Sequence, residues 1–153
     1  MLKNIDPILN ADLLFILAAM GHGDELAIVD ANFPAASTAR RLVRLDGVNA
    51  TRALEAVLAL LPLDDFVDSP LTVMEVVGDP DSVPESVNEF RAAARNAEGK
   101  DIQLTRIERF EFYERAKGAF AVLSTGETRL YGCVLVRKGI IRPAGLVTKT
   151  REV

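Results

Sequence analysis

The only histidine among 153 residues stands between two glycines, and the run Gly21-His22-Gly23-Asp24-Glu25 leads directly into Leu26-Ala27-Ile28-Val29-Asp30. Glycine neighbours leave an imidazole little bulk to cover it, and imidazole titrates near neutrality, so His22 is a candidate general acid or base. The bland alternative is a loop histidine that only bonds a carbonyl. Asp30 closes an apolar run of strand length, and the C-terminal ends of strands are where open α/β sheets put ligand groups, because the loops diverge there. A carboxylate in such a crevice accepts hydrogen bonds from neutral hydroxyls; its alternative is a turn-former with Asn32 or an N-cap for an element beginning after Pro34.

Other chemistries find less support. The GHGDE run lacks the full spacing of G-x-G-x-x-G and the Lys-Ser/Thr of a phosphate loop, so no nucleotide site is expected. His22, Asp24, Glu25 and Cys133 have no metal-ligand spacing and no second histidine exists, so no metal is expected. Cys133 sits in an apolar run and reads as a small buried side chain rather than a nucleophile. The stretch RFEFYERAKGAFAV mixes aromatics with cations, but Glu108, Glu111 and Glu114 are interleaved with them, which favours core packing under a solvated face. A net charge of −4 excludes the basic footprint that nucleic acid demands. The N-terminal residues are broken by Asn4, Asp6, Pro7, Asn10 and Asp12, so neither a signal peptide nor a membrane span is expected and the cytoplasm is the default.

These candidates need elements to position them. Asn10 caps an apolar helix over 11–20 with Gly21 expected at its C′ position, and 26–29 is a strand covered on both faces. Residues 41–45 form a second strand, and a helix opened by Asn49 is stopped by Pro62. A strand over 71–77 precedes a helix that starts at a capping box on Ser82 and ends near Gly99. The residues 102–107 alternate as a strand, and 110–117 form a short helix. Strands over 119–124 and 131–136 flank Gly126 and read as a hairpin. Strands alternating with helices imply an α/β fold: one three-layer α/β/α domain over 1–140, with a mixed, mostly parallel sheet, a C-terminal antiparallel hairpin and a tail over 141–153. A hydrophobic content of 49% leaves apolar surface for subunit contacts.

In one collinear register, GHGDELAIVDANFPA, RFEFYERAKGAFAV and STGETRLYGCVLVRKG resemble the RbsD/FucU family of sugar-ring isomerases, and the first two motifs are closer to its fucose branch. The resemblance implies a cofactor-free enzyme that interconverts anomers of a free reducing monosaccharide, fucose or a related aldose. It implies His22 as proton donor, with Asp30, Arg109, Tyr131, Gly132 and Cys133 binding the sugar. It also implies a homo-oligomer with sites near subunit interfaces. A non-catalytic monosaccharide-binding accessory protein of an uptake or catabolic system is the alternative. Cys133 departs from the family's usual asparagine, and a thiol cannot supply an amide's donor and acceptor together. His22 and Asp30 are expected to face the same crevice from the two ends of their strand.

Overall fold

The computed structural model describes residues 1–144, and residues 145–153, most of the expected tail, lie outside the described residues. The described residues form six strands and five helices, alternating up to the last two strands: α1 (Ala11–Ala19), β1 (Glu25–Val29), α2 (Ala35–Thr38), β2 (Leu42–Leu45), α3 (Ala50–Leu58), β3 (Leu71–Met74), α4 (Glu85–Glu98), β4 (Leu104–Ile107), α5 (Arg109–Gly118), β5 (Ala121–Thr125) and β6 (Val134–Arg137). The short helix α2 begins after Pro34, but Asp30 does not cap it: Pro34 is its N-cap, without a side-chain bond.

Local chemistry explains most helix boundaries. The side chains of Asn10 and Asn49 accept the Leu13 and Arg52 N–H groups at 2.9 and 2.8 Å, and the Glu108 carboxylate accepts those of Phe110 and Glu111. The expected capping box on Ser82 does not form: Pro84 occupies the N-cap of α4, and its ring holds φ at −57° without a side-chain bond. Gly21 is not the left-handed cap expected of it either. The chain leaves α1 through an extended Met20, and the positive φ, 86°, falls at Gly23. The last carbonyls of α1 are met instead by Lys138, whose Nζ donates to Leu17 O at 2.7 Å and Met20 O at 2.6 Å.

The sheet order is β2-β5-β1-β6-β3-β4. The pairs β1–β5, β2–β5 and β3–β4 are parallel, whereas β6 runs antiparallel to both of its neighbours, β1 and β3. The mixed, mostly parallel sheet is therefore as expected, but the C-terminal hairpin is not: β5 and β6 never pair, and the antiparallel strand lies inside the sheet. Both edges of β5 are already taken, since Val122 sits opposite Ala27 of β1 and Leu42 of β2. The eight-residue connection 126–133 instead crosses the end of β1, where the Ala31 N–H donates to the Glu127 carbonyl at 2.8 Å.

Alternate residues of the central strands face two separate cores, which makes three layers. Leu26, Ile28, Leu71, Val73, Leu123 and Val134 pack toward α1, α3 and α4. Ala27, Val29, Val122 and Leu135 pack on the other face with Phe112 and Ala116 of α5 and Ala35 of α2. With both faces covered, these strands read as continuous apolar runs rather than alternating ones.

Helices α3 and α4 are tied to the 126–133 connection by charge. Arg129 donates two hydrogen bonds to Glu89 of α4, at 2.6 and 2.9 Å, and Thr51 of α3 donates a third at 2.7 Å. The Arg129 and Thr51 donors hold the Glu89 carboxyl down at about 2, against 4.5 for an ordinary glutamate. Protonating Glu89 thus costs the folded state more than the unfolded one. Its stabilisation is complete above about pH 4.5 and is lost as the pH falls toward 2. In a thermal melt series the midpoint should decline across that window, and Glu89→Gln should flatten part of the slope; equal slopes for the two proteins would contradict this.

Candidate functional site

At the C-terminal end of β1 a pocket of about 170 Å³ is lined by Asp30, Arg109, Tyr131 and Cys133, with Phe33 and Met74 as apolar wall. That volume lies below the range of roughly 300–1,000 Å³ that drug-sized ligands occupy and is of the scale of one small ligand. Four of the expected binding residues, drawn from three parts of the chain, thus converge on one place.

Asp30 is buried, and its two oxygens do different things. Oδ1 accepts the N–H groups of Asn32 and Phe33 at 3.0 and 2.9 Å, the turn-forming role, while Oδ2 faces the Cys133 thiol at 3.4 Å. The turn-forming reading of Asp30 with Asn32 therefore holds, and Oδ2 is the oxygen turned to Cys133. Burial, reinforced by the Asp30 charge, pushes the Cys133 thiol well above its ordinary range. It remains a protonated donor to Asp30 rather than a nucleophile.

Arg109 opens α5, with its guanidinium 4.5 Å above the Phe110 ring. Its Nε–H is buried and meets no acceptor among the described residues. A buried donor of this kind costs about 1–3 kcal/mol until an acceptor arrives. Tyr131 has a left-handed backbone, φ 61°, and its phenol oxygen accepts the Val77 N–H at 3.1 Å, which leaves the phenol proton free to donate. Gly132 lies behind this wall rather than on it: a Cβ there would stand 2.6 Å from Glu127 Cγ and 3.2 Å from the Arg129 carbonyl.

His22 is not in this pocket. It lies before β1 and Asp30 after it, so about 15 Å of extended strand separates the two ends, and the single crevice expected for them does not exist within one chain. At its own end, His22 Nε2 lies 2.9 Å from Asp64 Oδ1, and the imidazole packs on Phe66 with ring centroids 4.8 Å apart. Asp64 is almost wholly buried and also accepts from Arg137 Nε at 2.8 Å and from the Phe66 N–H at 3.1 Å. Burial alone would raise the Asp64 carboxyl, but the bonds from His22, Arg137 and Phe66 outweigh it and hold the group below the usual carboxylate range. The Asp64 carboxylate takes up Nε2, and Nδ1 is the ring nitrogen with no hydrogen-bond partner among the described residues.

Sequence reading missed Asp64 and Phe66. They lie in an irregular segment, Leu61-Pro62-Leu63-Asp64-Asp65-Phe66, where nothing in the pattern separates the buried aspartate from its exposed neighbour. Val77, which orients Tyr131 through its backbone alone, leaves no side-chain signal at all.

Residues 3–141 match the model of the RbsD / FucU transport protein family. The chain is 47% identical over 148 residues to fucose mutarotase of Homo sapiens, with 92% of this chain and 94% of that protein covered. It is 43% identical over 141 residues to L-fucose mutarotase of Actinobacillus pleuropneumoniae serotype 5b, with 92% and 97% covered. Its fold superimposes on the crystal structure of the fucose mutarotase from Streptococcus pneumoniae in complex with L-fucose, with a TM-score of 0.86 at 42% identity and 92% and 100% of the two chains covered.

Proposed function

Because this chain belongs to the RbsD/FucU family, we propose that it is an L-fucose mutarotase-like isomerase that interconverts the anomers of a free reducing monosaccharide. The observation that carries this reading is the pocket itself, which brings Asp30, Tyr131 and Arg109, whose Nε–H is buried and unpaired, around a space of single-sugar scale. A lining that combines donors and an acceptor with apolar Phe33 and Met74 suits a pyranose that carries hydroxyls and an apolar edge such as a 6-deoxy methyl.

Anomer exchange needs one proton delivered to the ring oxygen and one removed from the anomeric hydroxyl. The ring C–O bond breaks to leave an open-chain aldehyde, rotation about C1–C2 presents its other face, and reclosure returns both protons. Arg109 and Asp30 hold the sugar hydroxyls, and Tyr131 donates to an oxygen at the pocket wall. His22, anchored on Asp64 through Nε2, turns Nδ1 to the sugar and in its imidazolium form, with a proton on each ring nitrogen, is the acid that protonates the ring oxygen and recovers that proton on reclosure.

His22 reaches the pocket of a neighbouring copy, not that of its own chain. Two features support a shared site. Phe110 exposes apolar surface beside Arg109, Leu130 and Val77 do so beside Tyr131, and Phe66 does so beside His22. Placed at opposite ends of β1, these surfaces suit a head-to-tail contact, which closes into a ring when the rotation permits. The reading includes a homo-oligomer working in the cytoplasm with no cofactor.

Saturation-transfer NMR on the anomeric protons of L-fucose tests the activity. Exchange between the α and β signals should accelerate in proportion to protein concentration. Binding without acceleration would instead favour the non-catalytic accessory protein, and neither binding nor acceleration across a panel of aldoses would remove both.

A further inference from the structure

Glu127 is a buried carboxylate that the proposed chemistry does not use, and its surroundings connect both walls of the pocket. Its side chain accepts the Ala50 N–H at the start of α3 at 3.1 Å through Oε2. Oε1 accepts both the Arg129 N–H, at 3.1 Å, and Arg129 Nε, at 2.9 Å. The bond from Arg129 holds the Glu127 carboxyl below its ordinary range against the opposing effect of burial, helped by the Arg129 and Ala50 backbone N–H groups. Its main chain faces the other way. The Glu127 carbonyl accepts the Ala31 N–H next to Asp30, and its own N–H donates to Thr125 Oγ1, whose hydroxyl donates to the Val29 carbonyl at 2.7 Å.

One residue therefore fastens the connection 126–133 to the end of β1, to the start of α3 and, through Arg129 and Glu89, to α4. That connection carries Tyr131 in a left-handed conformation, which is unfavourable for a non-glycine residue and persists only where the surroundings over-determine it. Gly132 follows it, so close to the Glu127 side chain that a Cβ would overlap Cγ. The carboxylate thus forms the floor on which the Tyr131-Gly132 pair is folded.

We infer that Glu127 is a positioning residue that acts through Tyr131, setting where its hydroxyl meets the sugar. The inference rests on the mutarotase reading for its kinetic consequence, though not for its structural one. The test is a double-mutant cycle of Glu127→Gln with Tyr131→Phe, read by exchange NMR and by near-UV circular dichroism. Displacing the phenol should lower kcat by about tenfold or more in the parent, with a smaller change in KM. In the Tyr131→Phe background the same substitution should cost less than about twofold, because its target is already gone.

A merely structural role would lower the melting temperature and reduce kcat by the same factor in both backgrounds, and that result overturns the inference. Arg129→Gln, which releases the same carboxylate from the solvent side, is run in parallel with the same expectation in case Glu127→Gln does not fold. The protein has two tyrosines and no tryptophan, so the spectral contribution of Tyr131 can be identified by difference. If the parent shows no exchange activity, the mutarotase reading falls, and the spectrum still decides: loss of the Tyr131 signal in the Glu127 or Arg129 variant supports the positioning role, and an unchanged signal overturns it.

Discussion

Replacing His22 with alanine is expected to slow anomer exchange by about 10²–10⁴-fold, the contribution of a well-placed general acid. Stability should fall by about 1–3 kcal/mol at most, since the buried Asp64 loses the His22 bond but keeps those from Arg137 and Phe66. Sugar binding should survive, because Asp30, Arg109 and Tyr131 lie at the far end of β1. The decisive measurement mixes subunits. Arg109→Met should also be inactive, by losing the buried donor. In an oligomer reassembled from equal parts of the two variants, about one site in four combines an intact His22 from one copy with an intact Arg109 from the next. Recovery of roughly that fraction of parental exchange is the expected result. No recovery, with mixed oligomers demonstrated by mass, would place His22 and Arg109 in separate functions.

The second large effect is on stability. Phe112 is fully buried on α5, edge-on to Phe33 at 6.1 Å, beneath the residues that build the pocket. Phe112→Ala should cost about 3–5 kcal/mol through lost transfer energy and the cavity left behind. That is a large part of the roughly 5–15 kcal/mol by which domains are stable. At about 2–4 °C per kcal/mol for a chain of this size, the melting midpoint should fall by roughly 6–20 °C. The same helix carries Arg109 at its start and Tyr113, which packs on Phe33 at 5.2 Å. A slackened α5 should therefore raise KM as well, even where the folded fraction is complete. A variant that melts early but binds sugar as tightly as the parent would show that the pocket is held by the 126–133 connection alone.

Motifs were legible in the sequence where chemistry is local. The Asn10 and Asn49 caps, the buried run at 26–29 and an inert Cys133 follow from side-chain type and neighbours, and the structure holds each of them. Arrangement in space was less legible. A hairpin between the last two strands is the economical reading of two apolar runs separated by a glycine-containing loop. Strand pairing depends instead on which edges are free, and β1 occupies that position. The expectation that His22 and Asp30 share a crevice overlooked extended geometry, for a strand between two residues holds them apart. Asp64 was invisible for another reason: a buried aspartate is recognised by its partners, His22 at sequence distance 42 and Arg137 at 73, not by its own surroundings.

The inserted β6 has a consequence for the life of the chain before it is complete. Strands β2, β5 and β1 form one block and β3 with β4 another, and β6 alone joins them. A ribosome that has released only the first 130 residues or so has thus delivered two partial sheets, each with an apolar edge and no mate. Residues 134–137 act as a keystone whose late arrival makes the final pairing non-local, the step that is slow in folding and exposed to edge-to-edge association. Chains truncated ahead of Val134 are expected to aggregate more readily than the full chain, because β1 and β3 would each keep an unpaired edge.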